Sequence, residues 1–205
     1  IFERPWGNYV NLYAFLKLSE NPTLDGQEVL RMFVQEHYPE SSRQAAMDLY
    51  NFSRDFQRTI YYIKGEVYNA NHSRVQDDDA REDLEDSQED FRFLTKREDF
   101  EERREEIDAA YAKAIELVEQ LGSGVPSEWI QGLKDGAGVE RYVALSSTDK
   151  MEMLFLLQRR KSGQNVSDAI DEVKRRMEER IEEWKEWDDI SYDDMEGKAV
   201  LEDWD

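Results

Sequence analysis

Residues 8–25 read Asn-Tyr-Val-Asn-Leu-Tyr-Ala-Phe-Leu-Lys-Leu-Ser-Glu-Asn-Pro-Thr-Leu-Asp. This stretch predicts a helix that is apolar on nearly every side and that ends at Asn21-Pro22, with Asp25 as the N-cap of the next helix. A helix without a polar face has to be covered on more than one side. We therefore expect a packing partner for this helix upstream, in a part of the protein that is missing from the chain.

Length and composition favour one folded domain over residues 1–205. A chain of 205 residues is long enough for one well-buried core or for two small ones. The absence of cysteine excludes disulfides, thiolate metal ligands and cysteine nucleophiles, and it leaves the compartment undetermined. No run of 18 apolar residues occurs, so we expect no membrane-spanning helix. The pattern calls for no cofactor.

The charge balance is strongly acidic, with 27 basic residues against 48 acidic residues and a net charge of −21. Nucleic acid and anionic membranes are therefore poor partners, because phosphate binding needs a basic surface. Nine acids are concentrated in residues 77–90, which we interpret as a solvated acidic run, either a frayed helix start or a mobile loop, and the tail 189–205 is also acidic. The acid excess, with 17 arginines against 10 lysines, suggests a salt-adapted (halophilic) protein; the alternative is an ordinary acidic one.

Apolar residues recur at helical spacing along most of the chain, and no alternating run is long enough for a strand. The sequence therefore predicts an all-α, helical-bundle-like domain of about seven helices. We expect the glycine-rich stretch 132–138 to interrupt the chain between short helical segments, and Ser147 or Thr148 to cap a separate helix over 149–161. Further helices are predicted after the first one over 25–38, from Ser41 or Ser42 to about Val67, over 97–121, around Trp129, over 139–145 and after Ser167.

No constellation of residues points to catalysis. His37 and His72 are the two histidines, and nothing in their spacing requires a shared metal ion, so surface histidines are the better interpretation. A glycosidase needs two carboxylates at a suitable separation, but with 48 acids the sequence cannot nominate a pair. The nucleophile elbow of serine hydrolases and the glycine patterns that bind phosphate are absent from the sequence.

Aromatic residues of the first segment are candidates for recognition. Trp6, Tyr9 and Tyr13 could stack on a sugar ring, although packing in a core or a domain junction is the more usual role of such residues. The acidic helices that begin near residues 97 and 167 could bind a partner helix, but an apolar stripe of this kind more often packs within its own molecule.

The spacing Asn11-x-Tyr13-Ala14-Phe15-x-x-Leu18-x-x-Asn21-Pro22-x-Leu24-Asp25 resembles the start of the helical domain that follows the catalytic (β/α)8 barrel in α-glucuronidases of glycoside hydrolase family 67. The resemblance extends to about Tyr38. It implies a domain that supports the barrel, shapes the edge of its cleft and can supply a surface for homo-oligomers. In that family the catalytic acids lie on the barrel, so the resemblance transfers no catalytic residue to this chain.

The resulting expectation is a non-catalytic helical accessory domain of a carbohydrate-active hydrolase, whose partner is the barrel of the same parent chain. Trp6, Tyr9, Tyr13 and Leu16 are predicted to face that barrel. Carbohydrate is expected to bind to the parent enzyme and not to this domain by itself. The alternative is a free-standing acidic helical module that binds a basic partner through residues 77–90 or the C-terminal helix. The first expectation requires an exposed apolar patch around residues 6–16, and the alternative does not.

Overall fold

The computed structural model describes residues 9–63, 66–67 and 94–185. These ranges confirm the predicted all-α fold, with six α-helices, one short 3-10 helix and one pair of two-residue strands. The α-helices are α1 (Tyr9–Glu20), α2 (Gly26–His37), α3 (Arg43–Tyr61), α4 (Arg97–Glu119), α5 (Ser127–Lys161) and α6 (Ser167–Lys185). No helix in the described ranges has the length and apolar character that crossing a membrane requires.

The turn between α1 and α2 forms as the sequence predicts. The Asn21 side-chain oxygen accepts hydrogen bonds from the backbone N–H of Thr23 at 3.2 Å and from its hydroxyl at 2.8 Å. The Asp25 carboxylate then accepts from the N–H groups of Gln27 and Glu28, at 2.9 and 3.3 Å. Asp25 is therefore the N-cap of α2, because its carboxylate satisfies two donors that lack an intrahelical partner.

Helix α3 is bounded differently from the prediction. Residues Glu40–Ser42 form a 3-10 turn, and the buried hydroxyl of Ser42 donates to the carbonyl of Leu121 instead of capping a helix. The helix ends at Tyr61, short of Val67. There the chain forms an antiparallel pair, β1 (Tyr62–Ile63) with β2 (Glu66–Val67), and Tyr62 faces Val67 across it.

Helix α5 is continuous over Ser127–Lys161, so the predicted interruption at residues 132–138 is wrong. Glycine lowers helix stability by about 1 kcal/mol relative to alanine, but it ends a helix mainly where it adopts a positive φ. In the described ranges only Gly122 and Gly163 have that conformation. Ser147 and Thr148 are consequently buried inside the helix and cap nothing, and the Thr148 hydroxyl donates to the carbonyl of Ala144 at 2.8 Å.

The chain forms two compact units. The first contains the described residues up to 59 together with 108–141, and the second contains 60–107 and 142–185 as far as they are described. The single domain over 1–205 stays a prediction. The core of the first unit combines α2 and α3 residues with the end of α4. Its buried members are Phe33, Val34, Tyr38, Ala46, Leu49, Leu117, Val118, Leu121 and Val125.

The second unit contains a core between α5 and α6. Its buried members are Met153, Leu156, Ile170, Val173 and Met177, which recur at helical spacing on the facing sides of the two helices. Near the start of α4, Phe100 is fully buried, and its ring centroid lies 5.4 Å from that of Phe155. The Asp99 carboxylate accepts from the N–H groups of Thr95 and Lys96, which fixes the first turn of α4.

Two glycine substitutions test the continuity of α5. Gly136→Ala should stabilise the protein by about 0.5–1 kcal/mol, because an added methyl meets open space and alanine favours a helix interior. Gly163→Ala should destabilise it by about 1–2 kcal/mol, because φ is +84° there although the space is also open. Urea unfolding of both variants measures these effects. A loss of stability in Gly136→Ala would contradict a continuous helix.

Candidate functional site

The second unit contains a buried cluster of charges that we call the ionic centre. It consists of two carboxylates from α5 and four guanidinium groups from α4 and α6, namely Asp149, Glu152, Arg97, Arg104, Arg176 and Arg180. The side chains of Asp149 and Glu152 have no solvent exposure. An isolated carboxylate buried in this way would be very costly, so the arginines are a condition for this packing.

Three arginines donate to Asp149. Its Oδ1 accepts from Arg104 Nη1 and from Arg176 Nε, each at 3.3 Å. Its Oδ2 accepts from Arg180 Nη2 at 2.6 Å. Both oxygens of this carboxylate are therefore occupied by charge-assisted hydrogen bonds, which are the stronger kind.

Glu152 lies one helical turn further along α5 and is also held by three arginines. Its Oε1 accepts from Arg97 Nε at 3.2 Å, and its Oε2 accepts from Arg104 Nη1 at 2.7 Å and from Arg176 Nη2 at 2.5 Å. Arg104 and Arg176 thus bridge the two carboxylates. The ionic centre links three helices of the second unit through one hydrogen-bonded network.

The rim of the ionic centre is closed by Glu172 of α6. Arg97 donates from Nη2 to Glu172, and Arg176 forms a further ion pair with it at 3.2 Å. The hydrogen bond from Arg97 lowers the pKa of Glu172. All three acids of this network therefore accept hydrogen bonds from cations in the folded protein.

The geometry of the ionic centre indicates a structural role. A pair of catalytic carboxylates in a glycosidase has to reach a sugar and an attacking water. Asp149 and Glu152 are enclosed, and both oxygens of each carboxylate already accept from guanidinium groups. This pair has neither the access nor the free oxygens that such chemistry requires.

A second candidate site lies in the first unit, on the outer side of α1. This helix contains no buried residue. Tyr9, Leu12, Phe15 and Leu16 are 44, 56, 69 and 53% exposed, and these four are the large exposed apolar side chains of the described ranges. We call them the α1 apolar face. Single exposed apolar residues are common, but four of them on one helix make this face a candidate interaction surface.

On the inner side of α1, Tyr13 and Val10 pack against the core of the first unit, and Tyr13 contacts α2 directly. The ring of Tyr13 packs edge-on against Phe33, with ring centroids 5.4 Å apart, and against His37 at 5.7 Å. Its hydroxyl donates to the carboxylate of Glu36 at 2.7 Å. Burial, this hydrogen bond and the negative charge of Glu36 raise the pKa of Tyr13 to about 12.

The structure separates the four residues that were predicted to face a barrel. Tyr9 and Leu16 belong to the α1 apolar face, whereas Tyr13 is half-buried against α2. Trp6 lies outside the described residues, as do the acidic run 77–90 and the tail 189–205. Leu12 and Phe15 were not among the predicted residues. The signal that could have found them is helical spacing, because Leu12 is three residues from Tyr9 and four from Leu16, and Phe15 is three residues from Leu12.

The described residues contain no group of three or more His, Asp or Glu side chains arranged to hold a metal ion. His37 lies at the surface of α2. Its ring stacks on Phe33 with centroids 4.5 Å apart, and its Nδ1 lies 2.9 Å from the Phe33 carbonyl oxygen. His72 lies outside the described ranges.

Comparison with known proteins adds no relative. The chain matches no protein-family model, no curated protein and no solved structure. The features of this chain that bear on function are therefore the ionic centre, the α1 apolar face and the sequence pattern of residues 11–25.

Neighbouring arginines of α6 test the ionic centre. Arg176→Met should destabilise the protein by about 3–5 kcal/mol, because it removes donors from two fully buried carboxylates. Arg175→Met should change stability by less than about 1 kcal/mol, because Arg175 pairs with Glu179 in solvent. Chemical denaturation measures both. Equal effects for the two variants would show that the ionic centre is not a major stabilising element.

The raised pKa of Tyr13 predicts a loss of stability at alkaline pH. Because the folded value of about 12 lies above the unfolded value of 10.0, the contribution is complete below pH 10 and is lost as pH rises towards 12. Burial also raises the pKa of Tyr38 and Tyr50, so absorbance titration at the tyrosinate band should show several late-titrating tyrosines, of which Tyr13→Phe removes one. Glu36→Gln should lower the pKa of Tyr13. An unchanged titration in both variants would contradict the Tyr13–Glu36 contact.

Proposed function

We propose that this chain is a non-catalytic helical domain that docks onto another protein through the α1 apolar face, and that the docking partner is the (β/α)8 catalytic barrel of a glycoside hydrolase. The observation that carries the proposal is the exposure of Tyr9, Leu12, Phe15 and Leu16 on one side of a helix whose other side rests on α2. Aromatic and leucine side chains in such a row supply the apolar centre of a protein interface.

The attachment of α1 favours docking as a preformed surface. Tyr13 holds the helix to α2 by ring packing and by its hydrogen bond to Glu36, and Asn21 and Asp25 fix the turn between the two helices. A helix that is already ordered loses less conformational entropy on binding than a disordered segment would. The α1 apolar face is therefore presented by the fold before a partner arrives.

The choice of a sugar-cleaving barrel as the partner rests on the sequence pattern of residues 11–25. In the resembled domain this pattern begins the helical region after the barrel, and residues 11–20 of the pattern lie on α1 here. The proposal assigns the α1 apolar face to the barrel contact. Sugar chemistry then belongs to the partner, in agreement with the enclosed carboxylates of the ionic centre.

The alternative function is that of an acidic module that binds a basic partner through charged residues and not through the α1 apolar face. Ion pairs at an interface weaken with salt, whereas burial of an apolar face does not. Binding that falls steeply between low and high salt, and that persists without the α1 apolar face, would favour this alternative.

The docking proposal predicts the behaviour of a double variant. The full chain should bind a purified family 67 barrel in a calorimetric titration, and Leu12→Ser/Phe15→Ser should weaken this binding at least about tenfold, because two exposed anchors are removed. The matched control is Asn11→Ser/Glu20→Ser, which changes exposed polar residues of the same helix and should leave the affinity unchanged.

Two outcomes would contradict the proposal at different levels. If the double variant binds the barrel as well as the natural sequence does, the α1 apolar face is not the contact. If the natural sequence does not bind the barrel but forms dimers that the double variant does not form, the α1 apolar face binds a second copy of the chain. The coding sequence upstream of Ile1 gives an independent check, since the proposal expects a barrel-sized run of alternating strands and helices there.

A further inference from the structure

The second unit carries a pocket of about 420 Å³ that belongs to neither site described above, although it shares one residue, Arg97, with the ionic centre. Its walls come from the start of α4 at Thr95–Arg97, from the end of α5, and from residues 164–169 at the start of α6. This volume is within the range of small-molecule sites in proteins, and the pocket is a surface groove open to solvent rather than an enclosed cavity.

The pocket is cationic in a protein that is otherwise strongly acidic. Lys96, Arg97 and Arg159 line it, against a single acid, Asp168. Counted over the lining residues alone, the pocket has a local excess of two positive charges in a chain whose net charge is −21, and one of these cations, Arg97, is also paired with Glu152 and Glu172. Such a local excess attracts an anion to this part of the surface.

Two of the three cations are held in place. Arg97 donates from Nε to Glu152 and from Nη2 to Glu172, which leaves its Nη1 without a partner among the described residues. The guanidinium of Arg159 lies 4.9 Å from the ring centroid of Phe155, and it forms no ion pair with a carboxylate of the described residues. Donors that are already positioned bind an anion at a lower entropic cost.

The remaining walls of the pocket select the body of the ligand. Phe155, Leu156, Val166 and Ala169 supply apolar surface next to the cations. A small inorganic anion would leave this surface exposed to water. A ligand with an apolar body would cover it while its charged end reaches the arginines.

From this arrangement we infer that the pocket binds a small organic monocarboxylate with an apolar, ring-sized body. Its carboxylate is received by Arg159 and Arg97, and its body packs on Phe155 and the adjoining apolar wall. A single negative charge is preferred over a phosphate dianion, because Asp168 lines the pocket and Glu172 lies beside Arg97. The inference does not depend on docking through α1.

Titration with 2-naphthoate tests the inference on the full chain, with backbone amide resonances as the readout. Saturable shifts are expected at residues 164–169 and at the end of α5. Arg159→Gln should weaken binding at least about tenfold, because a charge-assisted contact is lost. The matched control is Arg160→Gln, an exposed neighbour outside the pocket, which should bind 2-naphthoate as the natural sequence does.

Comparison of ligands completes the test. The neutral analogue 2-naphthylmethanol and inorganic phosphate should each bind at least about tenfold more weakly than 2-naphthoate. Equal binding of either compound, an unchanged affinity in Arg159→Gln, an equal loss in Arg160→Gln, or shifts confined to other parts of the chain would each overturn the inference. If Arg159→Gln fails to give a folded spectrum, Lys96→Gln replaces it and is expected to weaken binding in the same direction.

Discussion

The burial of Asp149 and Glu152 is the constraint on which the second unit depends. Each carboxylate is removed from water and accepts hydrogen bonds from three arginines, and two of those arginines serve both acids. The desolvation of two charges is offset only while all of these contacts form together. Three helices therefore have to meet in one register, which gives the packing of α4, α5 and α6 a specificity that apolar contacts alone supply less strictly.

The first unit is organised by a different balance. Its core is apolar and aromatic, with Phe33 in contact with the rings of Tyr13, His37, Tyr38 and Tyr50. Helix α1 packs against this cluster through one side, and four of its large apolar residues are 44–69% exposed. The proposed docking and the proposed ligand pocket therefore lie in separate units, and either can be tested while the other remains intact.

Sequence periodicity was sufficient for the helices whose ends carry explicit signals. Asp25 is the N-cap of α2 as predicted, and α2 and α4 end at His37 and Glu119, within two residues of the predicted ends at 38 and 121. Periodicity failed where the decisive interaction was tertiary. The glycines near residue 136 predicted a break, but helix α5 continues through them. Ser42 was predicted as a possible start of α3, but its hydroxyl donates to the carbonyl of Leu121, which is 79 residues away.

The candidate sites show the same division. The unusual apolar character of α1 was visible in the sequence, although Tyr13 proved to contact α2. The ionic centre was not predicted, because periodicity assigns charged residues to solvent. Its trace was present as same-face pairs on three helices, namely Asp149 with Glu152, Arg176 with Arg180, and Arg97 with Arg104. The spacing of residues within one helix does not show that the charged faces of three different helices pack against one another.

The shared arginines of the ionic centre also restrict how the sequence can diverge. Replacing Arg104 or Arg176 alone removes hydrogen-bond donors from two buried carboxylates and leaves negative charge unpaired there. Replacing the acids and the arginines together by apolar residues of similar volume is energetically tolerable. Divergent descendants of this chain should therefore keep the whole set or lose it as a block. The residues at positions 104, 149, 152 and 176 are expected to covary among homologues of this chain. This covariation should remain detectable after overall sequence similarity has been lost, and it would then indicate common ancestry.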